Sequence, residues 1–256
     1  MYLEKELDVA LKACRLAGDL ALSHFDRPAV AEEKADHSPV TEADRECEFE
    51  ICRFLSEHFP EDGLLAEEGT FRESRSGRRW IIDPIDGTRD FVRRAPFWAV
   101  QLALEIRDHI VLGVIHLPCF SEVVHAAAGA GCFWNGIRVH ASETAQLERA
   151  VLLVSGFQSV WQVWPPEMVR HLTQTAWTVR AHGACYDIAQ IARGKADIWL
   201  SGAGRPWDYA PVKVIVGETG GFFLTRDGTG RIDAGHCLVC APGLREELCR
   251  LLGMPA

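Results

Sequence analysis

Apolar residues recur every three or four positions from Leu3 to about Phe25, at Leu7, Leu11, Cys14, Ala17 and Ala21, which predicts an amphipathic helix. A second such pattern follows Thr41-x-x-Asp44, with Cys47, Ile51, Phe54 and Leu55 on one face as far as about His58. Thr41 and Asp44 have the spacing of a capping box at its start. The stretch between them, Val30 to Pro39, turns polar with Lys34, Asp36, His37 and Ser38 and reads as a mobile loop. Leu64-Leu65-Ala66 is a short strand, and Trp80-Ile81-Ile82 a buried one; Pro84 cannot donate to a sheet ladder, so that strand should stop near Asp83.

Downstream the apolar runs take on strand character. Trp98 to Ile106, Ile110 to Leu117 and Glu122 to Ala127 predict a meander, and Asn135-Gly136 between apolar runs predicts a tight hairpin over Cys132 to Val139. Polar residues 142–149 interrupt the pattern and divide the chain into halves, 1–145 and 146–256. Strands and helices then alternate: Val151 to Val154, Pro165 to about Ala176, Trp177 to Val179, Tyr186 to Ala192, Asp197 to Leu200. Such alternation suggests an α/β unit. A helix from Tyr209 to Glu218 has Asp208 placed as its N-cap, Pro211 in its first turn and Gly220-Gly221 at its close. Strands Phe222 to Thr225 and Cys237 to Cys240 and a helix Leu244 to Leu252 complete the chain.

At 256 residues, about half of them hydrophobic, the chain can bury a sizeable core. No run approaches the ~18 apolar residues of a membrane span, and residues 1 to 25 lack a signal-peptide core, so no membrane attachment is expected. Nine cysteines without a leader fit a reducing, cytoplasmic setting. The CxxC of Cys237 and Cys240 encloses apolar residues in a strand-like run and reads as core. The formal charge of −9 argues against nucleic acid as a partner. Locally the sign reverses, because Arg72, Arg75, Arg78, Arg79, Arg89, Arg93 and Arg94 flank the Trp80 strand. They are either a solvated loop or a means of steering a phosphate-bearing substrate.

Candidate chemistry gathers at Asp83-Pro84-Ile85-Asp86-Gly87-Thr88. Two carboxylates three residues apart in a bent segment can turn toward one hard cation. Gly87 lets the backbone approach an anion, and Thr88 offers a hydroxyl and an amide. A helix starting here would add a phosphate seat. An ordinary strand-to-turn exit is the competing reading, since Asp-Gly is a common turn pair. Glu67 and Asp208 stand at a second strand end and a helix start, and Asp44 has a purely structural reading as the capping-box acid.

Glu67-Glu68, then Trp80-Ile-Ile-Asp-Pro-Ile-Asp-Gly-Thr88, then Trp207-Asp208-x-Ala210 with Glu218-x-Gly-Gly221, together resemble the inositol monophosphatase family, which belongs with the fructose bisphosphatases. The resemblance spans nearly the whole chain. It implies a layered αβαβα sandwich, with an antiparallel sheet in the N-terminal α+β half, an α/β C-terminal half and the site between them. It implies two or three Mg2+ ions held by Glu67, Asp83, Asp86, Asp208 and the Ile85 carbonyl, with Asp83 bridging. The Gly87 and Thr88 amides would hold phosphate beside Asp86, while the Thr88 hydroxyl and Asp44 would polarise the attacking water, with Glu67 counted among the catalytic groups. Lys34 falls in the loop that covers the site in the family. Lithium sensitivity and a homodimer are also implied.

On the substrate side the pattern departs from the family. Ser201 stands where inositol-specific members carry a glutamate, and Gly183-Ala184-Cys185-Tyr186 replaces Gly-Ser/Thr-Ala-Ala. Ala184, Cys185 and Ser201 are therefore the positions that would face the leaving alcohol. Pro206-Trp207-Asp208-Tyr209 is similar to the Pro-Tyr-Asp-Tyr of the histidinol-phosphate phosphatase branch. The expectation is hydrolysis of a small phosphorylated metabolite, an inositol, polyol or sugar monophosphate. The alternatives are a histidinol-phosphate phosphatase and, outside enzymes, a silent partner-binding scaffold.

Overall fold

The computed structural model describes residues 3–25, 27, 31–34 and 39–254. Of the loop expected over 30–39, residues 30 and 35–38 fall outside the described residues, while Glu32 and Glu33 pair antiparallel with Val40 and Pro39 and so form short strands where a loop was expected. In chain order the first elements are α1 (Glu4–Phe25), β1 (Glu32–Glu33), β2 (Pro39–Val40), α2 (Glu42–His58), β3 (Gly63–Ala66), β4 (Phe71–Arg72), β5 (Arg78–Asp86), the short α3 (Thr88–Val92), β6 (Ala99–Ile106), β7 (His109–Leu117), β8 (Glu122–Ala127), β9 (Gly131–Trp134) and β10 (Ile137–Val139). There follow β11 (Val151–Ser155), α4 (Phe157–Val163), α5 (Pro166–Thr175), β12 (Thr178–Arg180), α6 (Ala184–Ala192), β13 (Ile198–Ser201), α7 (Pro206–Glu218), β14 (Phe222–Leu224), β15 (Cys237–Cys240) and α8 (Arg245–Leu252).

The meander becomes an eight-stranded sheet in the order β10-β9-β8-β7-β6-β5-β3-β4, antiparallel except where β3 lies parallel to β5. The later strands form a five-stranded sheet, β12-β11-β13-β15-β14, parallel over its first three members. Small residues of α1 (Ala10, Ala13, Ala17) and the Cys47, Ile51 and Leu55 stripe of α2 cover one face of the large sheet, against Trp80, Ile82, Leu102 and Val114. On its other face Ile115, Leu117 and Val124 meet Ile188 of α6 and Val212 and Ile215 of α7, which in turn pack on Leu153, Trp199 and Val239 of the small sheet. Leu152, Leu200 and Leu238 point the opposite way, onto Val160, Leu172 and Leu248 of the outer helices. The period-2 alternation of the small sheet thus serves two cores, and five layers result: αβαβα. Cys237 and Cys240, three apart on one strand, fall on opposite faces and belong to separate cores, so they cannot converge on an ion.

Two of the boundaries that differ from the sequence expectation lie beside the acids. Strand β5 does not stop near Asp83 but continues to Asp86, because its register with β6 shifts between those two residues and the bulge passes Pro84 without needing its missing amide. Helix α7 starts at Pro206, so Asp208 is its third residue and not its N-cap, and Pro211 lies inside the helix beyond the first turn. Proline at the first helical position supplies a suitable φ and leaves no amide unsatisfied.

The middle of α7 lies against β7 at Gly113, where a Cβ would come within 2.8 Å of the Pro211 Cα and 2.7 Å of Val214 Cγ1. Gly113→Ala is expected to destabilise the protein by about 1–3 kcal/mol through overpacking. A lowered urea midpoint with an unchanged m-value would show this; an unchanged midpoint would mean that α7 can shift freely.

Candidate active and metal site

Strand β5 and helix α7 bring their acids together. The bulge sets Asp83 opposite Gln101 and Asp86 opposite Ala99. Asp208, in the first turn of α7, accepts the Arg205 amide at 2.5 Å. One oxygen from each of Asp83, Asp86 and Asp208 lies within 4.8 Å of the others. Both Asp83 oxygens are buried and have no hydrogen-bond donor among the described residues. Burial raises the Asp83 carboxyl well above the ordinary range, and Glu67, Asp86 and Asp208 push it further. Asp86 is pushed to about 6 by burial, against the hydrogen bond from Cys185, with Glu67 adding to the rise. Burial and then Asp86 raise Asp208 to about 7. Carboxylates this close must hold protons or a cation. The orphaned oxygens of Asp83, all hard donors, fit a divalent cation such as Mg2+ or Ca2+.

Glu67 leaves the end of β3, its amide bound to the Ile82 carbonyl at 3.2 Å. The Lys34 ammonium donates to Glu67 at 3.0 Å and to Glu68 at 2.6 Å. Behind this turn lies a residue that sequence reasoning missed. Buried Glu48 accepts the amides of Glu68 at 2.6 Å and Thr70 at 2.9 Å, fixing the chain where Glu67 leaves the strand. No local signal marks a contact 20 residues away. Burial also raises the Glu68 carboxyl, to about 7.

Asp44 closes the capping box that its spacing predicts and also reaches Thr88. Its Oδ2 closes the capping box, accepting the Thr41 amide at 2.7 Å and the Thr41 hydroxyl at 2.6 Å. Its Oδ1 accepts the Thr88 hydroxyl at 3.3 Å, and the Ile85 carbonyl lies 3.2 Å from the same hydroxyl. Burial raises the Asp44 carboxyl despite the Thr41 bonds. Gly87 has φ +90°, and a Cβ there would sit 2.8 Å from the Phe97 carbonyl oxygen. Only glycine fits that position comfortably.

At the positions expected to face the leaving alcohol, Cys185 Sγ donates to Asp86 Oδ2 at 2.7 Å, and the Ser201 hydroxyl is 2.8 Å from that of Tyr209. Ala184, Cys185, Ser201, Asp86, Asp208 and Gln101 line one cavity of about 90 Å3. Larger grooves of about 620 and 660 Å3 run beside α1 and α2, but neither contains Asp83, Asp86 or Asp208, and the chemistry decides the assignment. Gln101, whose buried carbonyl oxygen has no donor among the described residues, is a further residue the sequence did not single out. Of the flanking arginines, Arg72 binds the Asp62 carbonyl and Ser56, Arg78 pairs with Glu6 and Asp62, and Arg79 pairs with Glu105. These three are structural.

Fold and site together define a phosphatase of the layered-sandwich class. The profile of the inositol monophosphatase family matches residues 3–253. The histidinol-phosphatase of Chlorobaculum parvum is 38% identical over 239 residues, 92% of either chain. A fructose-1,6-bisphosphatase/inositol-1-monophosphatase of Thermotoga maritima is 34% identical, covering 87% of this chain and 85% of its own. The crystal structure of the extragenic suppressor protein suhB from Bartonella henselae superposes with a TM-score of 0.89 at 29% identity, over 97% of this chain and 98% of the other. The chain belongs to the inositol monophosphatase family and is a phosphoric monoester hydrolase. Among the described residues no helix is long and apolar enough to cross a membrane.

Proposed function

We propose that the chain hydrolyses a small phosphate monoester using two or three Mg2+ ions held by Glu67, Asp83, Asp86, Asp208 and the carbonyl of Ile85. The observation that carries this reading is the Asp83 carboxylate, buried without a donor for either oxygen among the described residues and surrounded by other acids. Bound there, Mg2+ would offset phosphoryl charge and acidify the attacking water, chemistry suited to a barrier that must fall by roughly 20 kcal/mol. The amides of Gly87 and Thr88 hold the phosphate oxygens. Thr88 Oγ1 orients the attacking water and passes its proton to Asp44 Oδ1, the carboxylate that burial makes more basic. Asp86 lies between the seat and Cys185, on the side where the alcohol leaves.

The same reading keeps the division at residues 145 and 146, with Asp208 contributed by the second half, and takes the protein as a cytoplasmic, lithium-sensitive homodimer. A histidinol-phosphate phosphatase is the second reading, supported by Pro206-Trp207-Asp208-Tyr209 and by the Chlorobaculum relative. Phosphate release from inositol 1-phosphate, histidinol phosphate and a sugar-phosphate panel is expected with Mg2+ and not with EDTA. The ester turned over fastest chooses between the readings. No release from any of them would overturn both and favour the scaffold.

A further inference from the structure

Strand β6 places one polar side chain on the face of the large sheet that turns toward α7. In the β5–β6 register Ile81 stands opposite Ala103, and Asp83 opposite Gln101. Directly opposed residues share a face. Ile81 and Ala103 pack with Ala210, two residues after Asp208 on α7, so Gln101 lies on the side of the sheet where the acids meet. It is only 2% exposed. A carboxamide buried to that degree is costly unless its polar atoms find partners. Its Oε1 has none among the described residues, and its amide does not serve Asp83, both of whose oxygens also lack a donor.

The surroundings indicate what the group is for. Gln101 lines the cavity of about 90 Å3 together with Asp86 and Asp208. The neighbouring polar side chains of that wall are engaged: Cys185 with Asp86 at 2.7 Å, Ser201 with Tyr209 at 2.8 Å, and Trp199 Nε1 with Ser155 Oγ at 2.8 Å. Among the buried polar side-chain atoms of the lining residues, Gln101 Oε1 alone has no partner among the described residues. A half-turn about its terminal torsion exchanges oxygen and amide nitrogen, so the side chain can present an acceptor to the cavity.

The volume is that of a few waters, each occupying about 30 Å3 in the liquid. Mg2+ gives up its waters reluctantly and usually keeps several of them in a protein site. Such waters point their hydrogens away from the ion and need acceptors there. We propose that Gln101 is a positioning residue for the cation: its side-chain oxygen accepts a hydrogen bond from a water that the ion held by Asp83, Asp86 and Asp208 keeps in this cavity. The proposal rests on the metal-dependent reading of the acids.

The test is calorimetric titration of the full-length protein with Mg2+, without substrate, for the wild type, Gln101→Met and Gln101→Glu. Methionine keeps the length and removes the acceptor; glutamate keeps an acceptor oxygen. Gln101→Met is expected to bind Mg2+ about tenfold more weakly or worse, the scale of losing an outer partner of a metal site. Its phosphatase activity should fall at limiting Mg2+ and recover at high Mg2+. Gln101→Glu should bind Mg2+ at least as tightly as the wild type. For a variant too unstable to titrate, the rise in Tm on adding Mg2+ reads the same affinity. Unchanged Mg2+ affinity in Gln101→Met overturns the proposal, and a raised KM alongside it would give the side chain to the alcohol instead. Equal weakening in both variants also overturns it, since the acceptor would then be immaterial. If the wild type binds no Mg2+, the metal reading itself fails and takes the proposal with it, whereas the Gln101→Met results overturn the proposal alone.

Discussion

Asp83→Asn is expected to abolish turnover and at the same time to raise the melting temperature of the metal-free protein. The two effects have one cause. Asp83 is buried without a donor for either oxygen among the described residues and faces Glu67, Asp86 and Asp208, so in the absence of a cation its charge is opposed by burial and by three like charges. Asparagine keeps the shape, removes the charge and gives its acidic neighbours an N–H donor. For a chain of this size each kcal/mol of relieved repulsion raises Tm by about 2–4 °C. Catalysis moves the other way, because the residue proposed to bridge the ions is lost, and a drop of a thousandfold or more is expected, on the order of losing a principal charge-stabilising group. Calorimetry in EDTA and phosphate release in Mg2+ report the two arms. A lowered Tm in EDTA would make Asp83 a structural acid, and near-normal turnover would remove it from the site.

The second large effect is on pH. With Asp86 held at about 6 and Asp208 at about 7, against an unperturbed carboxyl near 3.8, the folded protein binds more protons than the unfolded chain between about pH 4 and 7. Without metal, the stability associated with these acids is therefore greatest below about pH 4 and is lost as pH rises through that window. Many other groups titrate there, so the wild type is best compared with Asp208→Asn. In EDTA the variant's Tm advantage should grow from pH 5 to 8; in Mg2+, which requires the ionised acids, the wild type should become the more stable at the upper end. A difference that does not vary with pH would show that Asp208 ionises freely in the folded protein.

How far the sequence discloses the molecule depends on the range of each contact. The capping box at Thr41 and Asp44, the hairpin at Asn135-Gly136 and the alternating strands are local patterns, and each appears where the residues place it. The acid positions were legible because each ends or begins an element. The end of β5 was not, since only the pairing with β6 reveals the bulge that carries it past Pro84. Helix α4 was missed because seven residues with exposed Phe157 and Trp161 give too short an apolar stripe. Glu48 and Asp187 read as ordinary helix acids; their burial depends on turns and rings brought up from elsewhere.

Helix α7 is held at three points: Asp208 at its start among the acids, Pro211 against Gly113 at its middle, and Glu218 at its end, which accepts the amides of Gly129 at 2.8 Å and Gly131 at 2.7 Å. Its 13 residues make a rod of about 20 Å. Such a rod acts as a ruler, and it can be read only in whole turns. Adding or deleting one residue between Asp208 and Glu218 would swing the two carboxylates about 100° apart, and neither end could be corrected without releasing the other. Changes of length are thus excluded from α7 between these two residues, and the distance between the β8–β9 turn and the acid cluster is fixed by a count of residues.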